Sequence, residues 1–142
     1  MIKNTLAQLR RHSVALISLA VAVSSLTYST WRNERTEANR NVRAAGFELL
    51  VKLGELDRVV FFGHYDHDPE MGNPRSGWAI VLTIRDLGKL MPEPAMQSSA
   101  TLVQQWQSEW SGLGSSDASA KRISDAIDQC REDVLSVLAA LD

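Results

Sequence analysis

Along the last third of the chain, apolar residues return at alternating intervals of three and four: Ala120, Ile123, Ile127, Cys130, Val134, Val137 and Leu141. That rhythm places one stripe on one face of a helix and predicts a long amphipathic helix there. Ser115 or Ser116, after the glycines of "SGLGSS", supplies its amino-terminal cap. Upstream, Met96, Ser99, Val103, Trp106, Trp110 and Leu113 predict another helix, bounded before it by "MPEP". Asn73-Pro74 has the form of a cap followed by a first-turn proline, and Ile80, Ile84, Leu87 and Met91 would form the face of the helix it opens. The β-branched run Ala79–Ile84 leaves a buried strand as the alternative for this segment.

The first amphipathic helix is the longest. Ala38, Val42, Ala45, Leu49, Leu53, Leu56 and Val60 share a face, with no proline before Pro69. Four stripes joined by short connections are most economically buried against one another, which predicts an antiparallel four-helix bundle over residues 32–142.

Before the bundle, Ser13 to Trp31 carries no charge, close to the ~20 residues that cross a bilayer. Tyr28 and Trp31 lie at its far end, where amphipathic rings favour a membrane interface. Three outcomes compete: a retained transmembrane anchor over 13–31, a signal peptide cleaved after Ala20-Val21-Ala22, and a buried soluble helix. The anchor is preferred because the helical pattern runs unbroken across Trp31, so the span continues directly into the first bundle helix. The fold class expected is all-α, with an amino-terminal transmembrane helix continuing into the bundle and residues 1–12 as a basic cytoplasmic tail.

Charge sharpens that picture. All 17 acidic residues follow residue 30, whereas Lys3, Arg10 and Arg11 precede the apolar run with no acid among them. An acidic main domain without a basic cluster excludes nucleic acid as the expected partner. A short basic tail abutting an apolar run favours an amino terminus inside. In a bacterium the anchor would then lie in the inner membrane with the bulk of the chain periplasmic. Cys130 is the single cysteine, so neither a disulfide within the chain nor a cysteine zinc site is available.

The densest chemistry lies in "FFGHYDHDPE". His64, Asp66, His67, Asp68 and Glu70 are the candidate metal ligands, and Asn73 offers a further oxygen, since imidazoles and carboxylates suit Zn²⁺, Mn²⁺ or Fe²⁺. Their spacing matches no established metal motif. If the helix persists to Asp68, His64 and Asp68 stand one turn apart; Pro69 then stops it. The competing reading is a solvated turn at the tip of the bundle. Of the remaining candidates, Trp106 and Trp110 suit core packing over a ligand cage, and Trp78 suits packing over the bundle end. Arg85 is either solvated or paired with a carboxylate of the first helix. No phosphate loop, nucleophile elbow or nucleophile–base pair is present, so no enzyme activity and no cofactor are expected.

The blocks "TYSTWRNERTEANRNVRAAGFELL" and "FFGHYDHDPEMGNPRSGW" resemble uncharacterised bacterial single-pass membrane proteins with a helical periplasmic domain. The plan is also similar to the four-helix sensing domains of chemoreceptors and sensor kinases. Those return through the membrane to an output module, whereas neither a second span nor such a module is expected after this bundle. The resemblance implies a membrane-anchored interaction module or small subunit of a membrane assembly. It would contact lipid through residues 13–31 and a protein partner or further copies of itself through the bundle. The alternative is a sensor-like domain binding a metal or small ligand at the His64–Glu70 tip.

Overall fold

The computed structural model describes the backbone of residues 2–141 and the side-chain surroundings of Ala15 and residues 17–141. The helices are α1 (Ile2–His64), α2 (Pro74–Gly88), α3 (Ala95–Glu109) and α4 (Asp117–Ala139), with a tight single turn at Trp110–Gly112 between the last two. No strand occurs among the described residues, so the Ala79–Ile84 run is helix. Contacts group the chain into two units, residues 1–38 and 39–142.

In the first unit the described side chains are exposed: Ile17 at 63%, Leu26 at 71% and Trp31 at 52%. Thr27 and Thr30 donate their hydroxyls to the carbonyls of Val23 and Leu26, one turn back, at 2.9 and 3.0 Å. These bonds hide two polar groups against the helix backbone. Beyond them, the Arg35 guanidinium stands 5.0 Å over the Trp31 ring, a cation–π contact. Among the described residues no helix is long and apolar enough to cross a membrane, so the expected span over 13–31 is not found among them. The uncharged run itself starts at Ser13, and the side chains of Ser13, Val14 and Leu16, with those of the basic tail 1–12, lie outside the described ones.

The second unit is an antiparallel helical bundle, and pairwise contacts give its topology. His64, ending α1, meets Asp117 at the start of α4, while Arg43 donates to the carbonyl of Leu141 beyond its end. Gly77 near the start of α2 lies against Trp106 near the end of α3, and Gly88 at the other end lies against Ser99. Glu109 closes the α3–α4 pair with Arg122, and Ser99 meets Cys130 further along. Neighbouring helices therefore run in opposite directions.

Leu49, Leu53, Leu56 and Val60 of α1, Val81 and Ile84 of α2, Leu102 and Trp106 of α3, and Ile123, Ile127, Cys130 and Val134 of α4 form the core. Fully burying one such aliphatic side chain contributes about 1.5–3 kcal/mol. The α4 stripe is buried as its spacing predicts from Ala120 to Val137, and Ser116 caps it by accepting from the Ser119 N–H. Asn73 likewise caps α2 by accepting from the Arg75 N–H.

The face of α3 matches expectation at Ser99 and Trp106 and departs from it at Met96. Ala95, Ser98, Ser99, Leu102 and Trp106 are buried, whereas Met96 is 41% exposed. Ser98 and Ser99 join Leu102 and Trp106 on the core face because α2 comes close there: a methyl on Gly88 would collide with Ser99. The Ser99 hydroxyl is satisfied by the Ala95 carbonyl at 2.8 Å, so its burial leaves nothing unpaired.

Candidate functional site

The tip of the bundle is built where α1 stops. α1 ends at His64, not at Asp68, so His64 and Asp68 do not stand one turn apart on a helix. His67 adopts a left-handed backbone (φ 51°) that turns the chain out of its helical path. The Asp68 N–H then donates back to the Phe62 carbonyl at 2.9 Å.

Asp68 organises the loop that follows. Its Oδ1 accepts from the Glu70 and Met71 N–H groups at 2.8 and 2.9 Å, the side-chain-mimicked turn that aspartate favours. The Met71 and Glu70 amides hold its carboxyl below the usual carboxylate range. Gly72 then packs backbone to backbone on Gly63, where a methyl on either residue would strike the other's main chain. This approach needs two glycines, and it sets the α1–α2 corner.

His64 points away from this loop, towards the start of α4. Its Nδ1 lies 2.9 Å from the Leu113 carbonyl and its Nε2 3.2 Å from Asp117 Oδ1, with the side chain only 11% exposed. The Tyr65 ring meets it edge-on at 4.7 Å. A neutral imidazole donates one of these bonds and the imidazolium donates both.

The five candidate ligands are therefore not brought to one point. His64 faces Leu113 and Asp117, Asp68 is committed to backbone amides, and Asp66, His67 and Glu70 lie along the exposed turn. Among the described residues no group of three or more histidine, cysteine or acidic side chains is arranged to hold a metal ion. The loop does enclose a recess of about 370 Å³ lined by Gly63, His67, Asp68, Gly72, Asn73 and Gly114. A smaller one of about 210 Å³ lies between α3 and α4, beside Ser98, Thr101, Gln129 and Asp133.

No protein-family model, curated protein or solved structure matches this chain. The reading of its sites therefore rests on their own geometry.

The other candidates resolve into packing. Trp106 is fully buried, and its indole N–H has no hydrogen-bond partner among the described residues. Trp110 meets Trp78 edge-to-face at 6.2 Å, and both pack half-buried against the core. Arg85 is exposed and pairs with its neighbour Asp86 at 3.1 Å, not with a carboxylate of α1. Burial pushes the Cys130 thiol up from its ordinary value, with Ser99 and Ser98 hydroxyls opposing.

Two features escape the stripe analysis. The His64–Leu113–Asp117 contact joins residues far apart in sequence, and nothing local announces it. The second is a further apolar face on α1: Phe47, Val51, Phe61 and Tyr65 are 61%, 55%, 50% and 67% exposed, opposite the buried stripe. Its signal is the 4-3-4-3-4 spacing of residues 47, 51, 54, 58, 61 and 65, masked by the glycine and arginine in the middle.

Proposed function

We propose that this chain is a non-enzymatic helical interaction module, held at a membrane by its amino-terminal apolar run and serving as a small component of a membrane assembly. The observation carrying this reading is the exposed apolar surface of α1 between Ile17 and Trp31. Leaving such side chains in water forfeits the burial that stabilises the rest of the fold. A lipid environment suits this stretch because Thr27 and Thr30 already bond to their own helix. The Arg35 guanidinium over the Trp31 ring supports this reading, since an aromatic ring and a cation suit a headgroup region. With the amino terminus inside, the bundle is periplasmic in a bacterial cell.

Vesicle flotation tests it. The full chain should float with liposomes of neutral and anionic lipid, and a chain lacking residues 1–31 should stay at the bottom of the gradient. Equal behaviour of the two would remove the anchor from the account.

The tip recess supports a second, sensor-like reading, in which His67 and Asp68 contact a small ligand or metal beside Gly72. A ligand present at 100 times its dissociation constant stabilises a fold by roughly 2.7 kcal/mol. A melting temperature raised by Zn²⁺ or Mn²⁺, and restored by His67→Ala, would favour it; no shift would leave the tip as a turn.

A further inference from the structure

Where the uncharged run of α1 ends, two cations stand clear of the acids nearest to them in sequence. Tyr28, Trp31, Arg32 and Arg35 are spaced 3-1-3, which gathers them within about 100° of the helix surface. All four are exposed. Glu34 is one residue from Arg35 and two from Arg32, and Glu37 is two and five residues away from them. None of these separations brings two side chains together on a helix. Two arginines and two glutamates, without net charge between them, are thereby sorted into a cationic side and an acidic side.

The Arg35 guanidinium stands 5.0 Å over the Trp31 ring, and that ring lies 6.3 Å from Tyr28. The cation is therefore seated on an aromatic pair. The Arg32 side chain has no hydrogen bond, ion pair or ring contact among the described residues. Thr36, one turn on, donates its hydroxyl to the Arg32 carbonyl at 2.9 Å and so does not engage the guanidinium. A helical side chain leans over the turn before it, so both arginines lean towards the aromatic turn that closes the uncharged run. Each guanidinium carries five N–H donors, and no oxygen among the described residues accepts one from either.

We propose that this face binds the phosphate of anionic phospholipid in preference to zwitterionic lipid. The preference rests on the membrane reading above and specifies the lipid class that reading leaves open. A guanidinium pairs with phosphate oxygens through two parallel N–H bonds. In a zwitterionic headgroup an ammonium group competes for those oxygens, and an anionic headgroup lacks that competitor. The uncharged run directly before the site selects a lipid phosphate over a protein carboxylate, since a membrane anchor ending at Trp31 leaves Arg32 and Arg35 at headgroup depth.

The test is quenching of Trp31 emission by bromine carried on one lipid at a time. The full chain is reconstituted in vesicles of phosphatidylglycerol and phosphatidylcholine in equal parts, with bromine near the headgroup end of the acyl chains of one or the other. Trp31→Phe supplies the blank, so that emission from Trp78, Trp106 and Trp110 subtracts out. Phosphatidylglycerol should associate with Trp31 on the order of fivefold more strongly than phosphatidylcholine, the gain typical of one arginine near anionic lipid. Arg32→Gln combined with Arg35→Gln should bring the two lipids level. Salt at about 1 M should do the same in the parent, since exposed charges are then screened beyond ~3 Å. Equal quenching by the two lipids in the parent at low salt would overturn the preference and leave the membrane reading standing, whereas quenching by neither would remove both. A preference that survives the two substitutions would also overturn the proposal, because Lys3, Arg10 and Arg11 would then be its source.

Discussion

Gly77→Ala is the sharpest test of how α2 and α3 are packed. In an ordinary helix interior this substitution gains about 1 kcal/mol from propensity alone. At Gly77 the new methyl would collide with Cζ2 and Cη2 of Trp106 and stand 3.2 Å from Cε2. The indole is fully buried in the core and has no solvent side to move into. Forcing a methyl into a packed core costs about 1–3 kcal/mol, which exceeds or cancels the propensity gain. A net loss of about 1–2 kcal/mol is expected at the upper part of that range. With a urea slope of about 2 kcal/mol/M, the midpoint should fall by roughly 0.5–1 M at unchanged slope. Tryptophan emission reports it, since Trp106 passes from full burial to water. Gly114→Ala, whose methyl would meet only the Gly63 carbonyl at 3.6 Å, is the control and should stay within about 0.5 kcal/mol. Trp106→Phe removes the ring edge that the methyl strikes, so the double variant should lose less than the sum of the single ones. A Gly77→Ala protein more stable than the parent, or strictly additive losses, would refute the close α2–α3 seam.

Further outcomes follow from the bundle's ends and core. His64→Ala should destabilise by about 1–2 kcal/mol, because it breaks the bridge to Leu113 and Asp117; His67→Ala on the exposed turn should stay within about 0.5 kcal/mol in urea unfolding. Arg122 grips Glu109 through two bonds of 2.8 Å and holds its carboxyl below the usual range. The stability this adds is present above the ordinary glutamate value of about 4.3 and is lost as pH falls through the lower folded value. Glu109→Gln should flatten that acid limb of a melting-temperature profile, and an unchanged limb would show the pair contributes nothing. Cys130 should resist a water-soluble thiol reagent until denaturant is added, because it is buried against Ser99 with its thiol pushed up; fast native labelling would show α4 facing elsewhere.

How much of this was legible in the sequence varies from helix to helix. α4 was readable almost residue by residue, since its partners are large apolar side chains and its cap is a serine. α2 was readable at its start, from Asn73 and Pro74. The face of α3 was readable in part: spacing picked out Ser99 and Trp106, which are buried, but it also took in Met96, which is exposed, and passed over Leu102. At the tip, the sequence placed histidines and carboxylates together, but side-chain direction depends on where α1 ends. The left-handed turn at His67 sends the candidates different ways, and His64 finds partners near residue 113 that no local pattern names. The outer apolar positions of α1, Phe47, Val51, Phe61 and Tyr65, were hidden by Gly54 and Arg58, which interrupt their spacing.

The proposed tether joins an independently folded helical bundle to a membrane through the amino-terminal run. Its most direct measurement is alkaline extraction of cell membranes carrying the full chain, with intact mass taken on the recovered protein, beside a chain of residues 32–142. Full-length protein of unshortened mass is expected in the membrane pellet, and the shortened chain is expected to be soluble with a helical circular dichroism spectrum. Full-length protein released into the alkaline supernatant, or a mature amino terminus near residue 23, would contradict it.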